Sequence, residues 1–232
     1  MPWLEAILTA AGGAGLGWVA GLPLGLAPVS AAIGGLNGLV SGGRAIYDWR
    51  RAGGWGAYVL DSTWGLIGTA GSLVLHIVQT VMPSGTYRGD LSRRRGRHVY
   101  AGGYRLKPAF ATTVGNVITN ADGLTGLDGA GGPRRRLLID RHEMLHVWQH
   151  RWFGPLFPAL YGAWVGVGAV GGLLVGLLAK RSIGKTIITI AYYDNPFEYW
   201  AYRRDRYWPP SGADPALAWR GPVEDQRTGT IL

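Results

Sequence analysis

Apolar residues run from Leu4 to Val40 with Glu5 as the one charge, and Gly13, Gly17, Gly21 and Gly25 recur every fourth position, followed by Gly34, Gly38 and Gly42. Small residues at that spacing let two helices approach closely. Pro23 and Pro28 interrupt the run. The pattern predicts two helices, 4–22 and 27–41, as a tight hairpin, each near the lower limit of about 20 residues for a membrane span. A polar link, 42–56, carries Arg44, Arg50, Arg51, Trp49 and Trp55. A further apolar stretch, 57–82, reads as one span that includes Asp61, His76 and Gln79.

From Pro83 the chain becomes polar, basic and rich in turn residues. Val99–Leu106 and Ala111–Thr119 have the composition of short strands, and 120–133 reads as a loop. A helix follows through Leu138–His150 and stops at Gly154-Pro155. Residues 156–179 are again apolar, with Gly168, Gly172 and Gly176, and are closed by Lys180, Arg181 and Lys185. After a short apolar run, 186–191, Asn195 is a good helix N-cap with Pro196 in the first turn. The tail from Pro209 is polar and rich in proline and glycine, and is expected to be poorly ordered. The expected organisation is Gly-rich membrane helices over 1–82, a domain over 83–208 and a tail over 209–232. The expected class is α+β.

Composition supports the membrane reading. Of 232 residues 39 are Gly, only 16% are charged, and Trp and Tyr number 11 each. A soluble helix pair with this much glycine would be unstable in water. The net charge of +9 fits basic loops held at an anionic membrane face. No aromatic platform or nucleic-acid motif accompanies it, so no nucleic-acid partner is expected. The Arg93–Arg97 run reads as a solvated or lipid-headgroup face. The first residues lack a basic region and a cleavage site, so no secretory signal peptide is expected.

The chemistry is concentrated in His142-Glu143-Met144-Leu145-His146, where three of the five histidines fall within 138–150. Two histidines four apart share one helix face and can grip one metal ion, and the glutamate between them can hold or deprotonate an attacking water. With no cysteine in the chain, a metal must be held by His and carboxylate, which suits zinc and excludes thiolate sites. His150 is about 12 Å from His142 along a helix, too far to share one ion. Gln149 falls three residues after His146, where its amide can support the metal face. Glu198 is the favoured third ligand. It competes with a purely capping role at N3 of its helix and with Asp194 as the rival ligand, while His76 is a remote candidate. Tyr192, Tyr193 and Tyr202 are candidates to stabilise an oxyanion, with Tyr202 favoured because it lies one turn after Glu198.

The stretch from Ala111 to His150 resembles a family of zinc metallopeptidases with an HExxHxxQ helix, often attached to bacterial toxins and injection-system cargo. The likeness is carried by Thr113-Val114-Gly115-Asn116-Val117-Ile118 and by Leu137–Gln149, and Asn195-Pro196-Phe197-Glu198 matches a later Asn-Pro-x-Glu segment of similar proteins. It implies a small zincin-like domain holding Zn²⁺ through His142, His146 and Glu198, with Asn195 supporting Glu198. It also implies that 113–118 is the strand edging the cleft and pairing with an extended peptide. The likeness covers about a quarter of the chain, and the Gly-rich helices depart from it.

Together these readings imply zinc-dependent peptide hydrolysis at a membrane, with a peptide or protein substrate, membrane lipids and other membrane subunits as partners. The competing reading is a non-catalytic assembly subunit that packs through its glycine-spaced helices. Residues 83–155 carry twelve Arg or Lys against three in the 42–56 link. This places the metal domain on the cytoplasmic side, expected to be that of a bacterial inner membrane. A single crossing by 156–179 would then strand Glu198 on the opposite side, so that segment is expected to re-enter or to pack on the domain.

Overall fold

The structure, a computed structural model, describes residues 2–106, 110–122 and 133–219. Lys107, most of the expected 120–133 loop and the end of the tail, 220–232, lie outside the described residues. The chain forms two compact units, 1–159 and 160–232. Neither expected boundary, 82/83 or 208/209, separates them. The fold is mostly helical with one small three-stranded sheet.

In the first unit α1 (Pro2–Gly21) and α2 (Ala27–Gly43) form the expected hairpin, joined by a 3₁₀ turn over Leu22–Leu24. Its seam is made of backbone. A Cβ at Gly13 would collide with the Gly34 carbonyl, and one at Gly38 with the Thr9 carbonyl. The Thr9 hydroxyl donates to the Gly38 carbonyl across the seam at 2.7 Å.

The expected span 57–82 is instead two helices, α3 (Ala52–Ser62) and α4 (Leu66–Val81), bent by 86°. The reason is polar. Asp61 turns inward and is buried in a bidentate pair with Arg151, at 2.8 Å for both bonds. Beyond the break the Thr69 hydroxyl caps the Asp61 carbonyl at 2.7 Å. Among the described residues, two helical segments could cross a membrane by length and apolarity, Pro2–Leu24 and Leu156–Leu178, or three if the bent pair counts as one span.

A short helix, α5 (Gly89–Ser92), leads into the sheet. Its strands are β1 (His98–Val99), β2 (Thr112–Val114) and β3 (Val117–Thr119), in the order β1-β3-β2. β1 is parallel to β3, and β2 is antiparallel to it, with Thr113 opposite Ile118. The strand expected over 99–106 therefore stops at Val99, and Gly103, at φ +90°, lies in the turns that follow. The single strand expected over 111–119 is a hairpin. Gly115, at φ +55°, takes its turn and lies so close to α4 that a Cβ would strike the Gly68 carbonyl. Only glycine meets both demands. The next residue, Asn116, is held by its N–H on the Ser72 hydroxyl at 2.9 Å.

The core lies between the sheet and the helix that carries the histidines: Val99, Ile118 and Ala121 meet Ile139 and Val147. That helix starts as α6 (Pro133–Leu137), passes through a wide π-helical turn over Leu138–Glu143 and continues as α7 (Met144–Phe153). Arg97, expected on a solvated face, is 2% exposed. It donates to the Ile139 carbonyl at 2.7 Å and pairs with Asp140, so it braces the wide turn.

In the second unit α8 (Leu156–Leu178) supplies the expected apolar helix. The chain then retraces it through α9 (Ile183–Ile188) and a wide turn over Thr189–Tyr193. Gly176 faces Ile183, Gly172 faces Ile187 and Gly168 faces Ala191. The apolar segment is thus one limb of a hairpin rather than a lone crossing, and α10 (Pro196–Arg204) begins back beside Tyr161. The described part of the tail is not loose: Ala213 and Ala218 are buried against Tyr193 and Tyr202, and Asp194 accepts the Trp219 N–H at 2.9 Å.

His98 is fully buried, with its ring nitrogens on the Ser41 and Tyr87 hydroxyls at 3.1 and 3.2 Å. Burial, reinforced by His76, Arg44 and Arg151, holds its pKa well below the usual imidazole range. Above about pH 6.5 the ring is neutral whether folded or not. Below that the unfolded chain takes up a proton that the folded one refuses, so stability falls as pH falls. The expected loss is about 1.4 kcal/mol per pH unit from this group. Unfolding in detergent between pH 7.5 and 5 should show a slope in wild type that His98→Gln reduces by one proton; an unchanged slope would count against it.

Candidate metal centre

Leu137, Leu138 and Ile139 continue helically into the motif, and Ile139, Leu145 and Val147 are buried. The apolar side of the helix is therefore fixed in the core, which leaves His142 and His146 no freedom to diverge. Both rings are buried, at 3% and 7% exposure. Their Nε2 atoms face each other at 3.2 Å. Two nitrogens each about 2.05 Å from a tetrahedral ion would stand about 3.3 Å apart, so the spacing fits one shared metal.

The Nδ1 of His146 lies 2.7 Å from the Gln149 Oε1. An amide oxygen accepts only, so Nδ1 carries the proton and Nε2 keeps its lone pair outward. Gln149 is fully buried, and its amide meets the His146 ring. Glu143 is buried, and its Oε2 accepts the Thr113 hydroxyl at 2.6 Å. Thr113 belongs to β2, an edge strand of the sheet. Of the residues expected to line the cleft edge, Thr113 and Val114 are on that strand, while Gly115 and Asn116 form the turn. Val117 and Ile118 are in the central strand with no exposure. The edge is thus shorter than 113–118, because β2 and β3 fold back on one another.

His150 is buried beside Gly68 and Phe157, its ring centroid 4.2 Å from that of Phe157. Desolvation lowers its pKa to about 3. It is a packing histidine of the helix. His76 belongs elsewhere in this unit: its Nδ1 meets the Tyr100 hydroxyl at 2.8 Å and its ring stands edge-on to His98.

In the second unit Glu198 is buried, and its Oε1 accepts the Tyr161 hydroxyl at 2.8 Å. Asn195 caps α10 through the Phe197 N–H at 3.1 Å, and its amide points to the Tyr161 carbonyl at 3.5 Å. The Asn195 N–H goes to the Tyr192 carbonyl, so the reciprocal bond of a capping box is not what holds Glu198. Asp194 is occupied with the tail, and burial raises its pKa. Tyr202 packs into the aromatic core with Tyr193 and Trp208. Tyr192 and Tyr193 meet edge-to-face, with ring centroids 5.1 Å apart.

His142, His146 and Glu198 are all buried and each offers one ligand atom, so as a group they could hold a metal ion. Three contributors were missed from sequence. Tyr161, the residue on Glu198, is the single hydroxyl-bearing side chain of 156–178, which was the available signal. Asp61 and Arg151 brace the histidine helix, and the signal was a lone acid within an apolar run. Comparison of the chain with family models, curated proteins and solved structures finds no match.

Proposed function

We propose that this protein is a membrane-associated zinc metallopeptidase of zincin-like type, in which His142, His146 and Glu198 hold the ion and Glu143 is the general base. The observation that carries the reading is the pair of inward Nε2 atoms 3.2 Å apart, with Gln149 fixing the tautomer of one ring and Thr113 orienting the glutamate between them. Two imidazoles and a carboxylate are a donor set of catalytic zinc, with a fourth position left for water or substrate. The return of the chain along α8 supports the reading, since α10 starts beside Tyr161 in the first turns of α8. The ion, when bound, polarises a carbonyl and makes water a better nucleophile.

The chain's own residues do the rest. Glu143 accepts the proton of the attacking water and passes it to the leaving amine. The Thr113 hydroxyl holds one carboxylate oxygen of Glu143 and leaves the other to act. The Tyr161 hydroxyl donates to Oε1 of Glu198 and helps to orient that carboxylate.

Metal content of the detergent-purified protein tests this. About one zinc per chain is expected in wild type, at least a tenfold loss of affinity in Glu198→Ala, and an unchanged content in Asp194→Asn. No zinc in wild type purified without chelator would turn the reading to the assembly subunit, whose glycine seams are also present. Zinc fully retained in Glu198→Ala would remove Glu198 from the ligand set.

A further inference from the structure

Arg44 is the C-cap of α2, its N–H on the Val40 carbonyl at 3.1 Å. A cation is favoured at that end of a helix, which accounts for an arginine here but not for where its side chain goes. The side chain turns to α4 and enters a cage of rings. Nη1 donates to the Tyr100 hydroxyl at 2.8 Å and faces the His76 Nδ1 at 3.3 Å. The guanidinium carbon stands 4.1 Å over the centre of the Tyr87 ring. Tyr87 and Tyr100 are paired across an antiparallel bridge with their ring centroids 5.3 Å apart, so backbone fixes these two walls.

The cage holds a cation and no acid. Arg88, Arg94, Arg97 and Arg151 each meet a carboxylate. Arg44 meets none among the described residues. Both of its side-chain bonds leave from Nη1, and His76 accepts there, because a guanidinium only donates. Nε and Nη2 form the planar edge that matches two oxygens of a phosphate. Neither atom is sealed inside the protein. The aromatic rings soften the charge, but they give those two atoms no hydrogen-bond acceptor.

The surroundings point to a lipid. Ile77, next to His76 on α4, is 67% exposed, and Leu36 and Leu39 near the end of α2 are exposed as well. Just beyond Arg44 come the exposed Arg50 and Arg51 and the exposed Trp55, whose indole N–H donates to the Trp49 carbonyl at 2.9 Å. Indoles and basic side chains beside apolar helix faces mark the headgroup level of a membrane. A soluble anion would use Arg44 and leave the apolar faces of α2 and α4 in water, whereas a phospholipid uses both.

We infer that Arg44 binds the phosphate of an anionic phospholipid, with Nε and Nη2 on its oxygens and the acyl chains along the outward faces of α2 and α4. Guanidinium and phosphodiester cancel in charge. No acid pairs with Arg44 that could also take the ammonium of a zwitterionic headgroup, so phosphatidylglycerol fits better than phosphatidylcholine. This site shares membrane association with the proposed function but none of its metal chemistry, so each can fail alone.

Full-length protein in detergent would be titrated with phosphatidylglycerol, phosphatidylcholine and inorganic phosphate, and bound lipid counted by native mass spectrometry. One phosphatidylglycerol should be held more tightly than any phosphatidylcholine, and millimolar phosphate should not displace it. Arg44→Gln should weaken it by about tenfold, the loss of a charge-assisted contact, and Arg44→Lys should weaken it less. Arg51→Gln, which removes an equal charge from a side chain 83% exposed, should bind as wild type does. Ile77→Gln leaves the cage intact and should also weaken binding, so the test stands even if Arg44→Gln does not fold. Equal binding of the two lipids would overturn the inference. So would displacement by inorganic phosphate, which would show a free-phosphate site, or an equal loss in Arg51→Gln, which would show surface charge alone. Wild-type binding by Ile77→Gln would remove the acyl chains from the site.

Discussion

Glu143→Gln should keep zinc at wild-type stoichiometry and lose peptide hydrolysis by a factor of about 10²–10⁴, the usual contribution of a positioned general base. The substitution is nearly isosteric, and the Thr113 hydroxyl can still donate to the amide oxygen. The fold and the histidine pair should therefore be unaffected, and the amide cannot take a proton at neutral pH. Metal content and turnover of a fluorogenic peptide library, measured on the same preparation in detergent, check it. Retained turnover would remove Glu143 from the reaction. Lost turnover together with lost metal would instead make it a structural residue.

Asp61→Leu should be the most destabilising single change in the first unit. Asp61 and Arg151 are 3% and 1% exposed and joined by two bonds of 2.8 Å. Tyr47 and Asn116 also donate to the Asp61 carboxylate, at 3.0 and 3.1 Å. Removing one partner strands a buried guanidinium, at a cost of about 3–5 kcal/mol. Because Arg151 lies on α7, five residues after His146, the same change should weaken zinc binding. Arg151→Met alone should cost a similar amount, whereas the double replacement should recover most of the loss, since an apolar pair of similar volume is often neutral in such a site. Chemical unfolding of the three variants in detergent decides it. A cost below about 1 kcal/mol for Asp61→Leu would mean that the pair is hydrated and does not brace the histidine helix.

Glu143, His142, His146 and Gln149 were legible because their relation is local: it depends only on helical spacing and on an apolar flank that fixes one face. Asp61 stands in the sequence as one residue of an apolar stretch, and nothing local announces a partner ninety positions away. Arg97 was misread for the same reason, as one member of a basic run whose other members are on the surface. Within 113–118 the flanks are extended as expected, but the turn at Gly115 comes from the demand of α4 for a residue without a Cβ. The glycine seams were legible as a spacing in both hairpins. That the chain retraces α8, rather than leaving it at the far end, was not, because 183–193 is too short and mixed in character to show its direction.

The sequence by itself determined the α1–α2 hairpin with its turn at Pro23–Pro28, the placing of His142 and His146 on one helix face, and the absence of any thiolate ligand. Each follows from period, side-chain size or residue type within a few positions. Tertiary structure alone decided that the 57–82 stretch breaks at Asp61, that Arg97 and Arg151 turn inward to brace the histidine helix, and that Tyr161 is the residue on Glu198. Those outcomes depend on buried charges and hydroxyls finding partners far along the chain. A desolvated polar group is costly enough to bend a helix toward its partner, and the identity of that partner is fixed only once the backbone has closed.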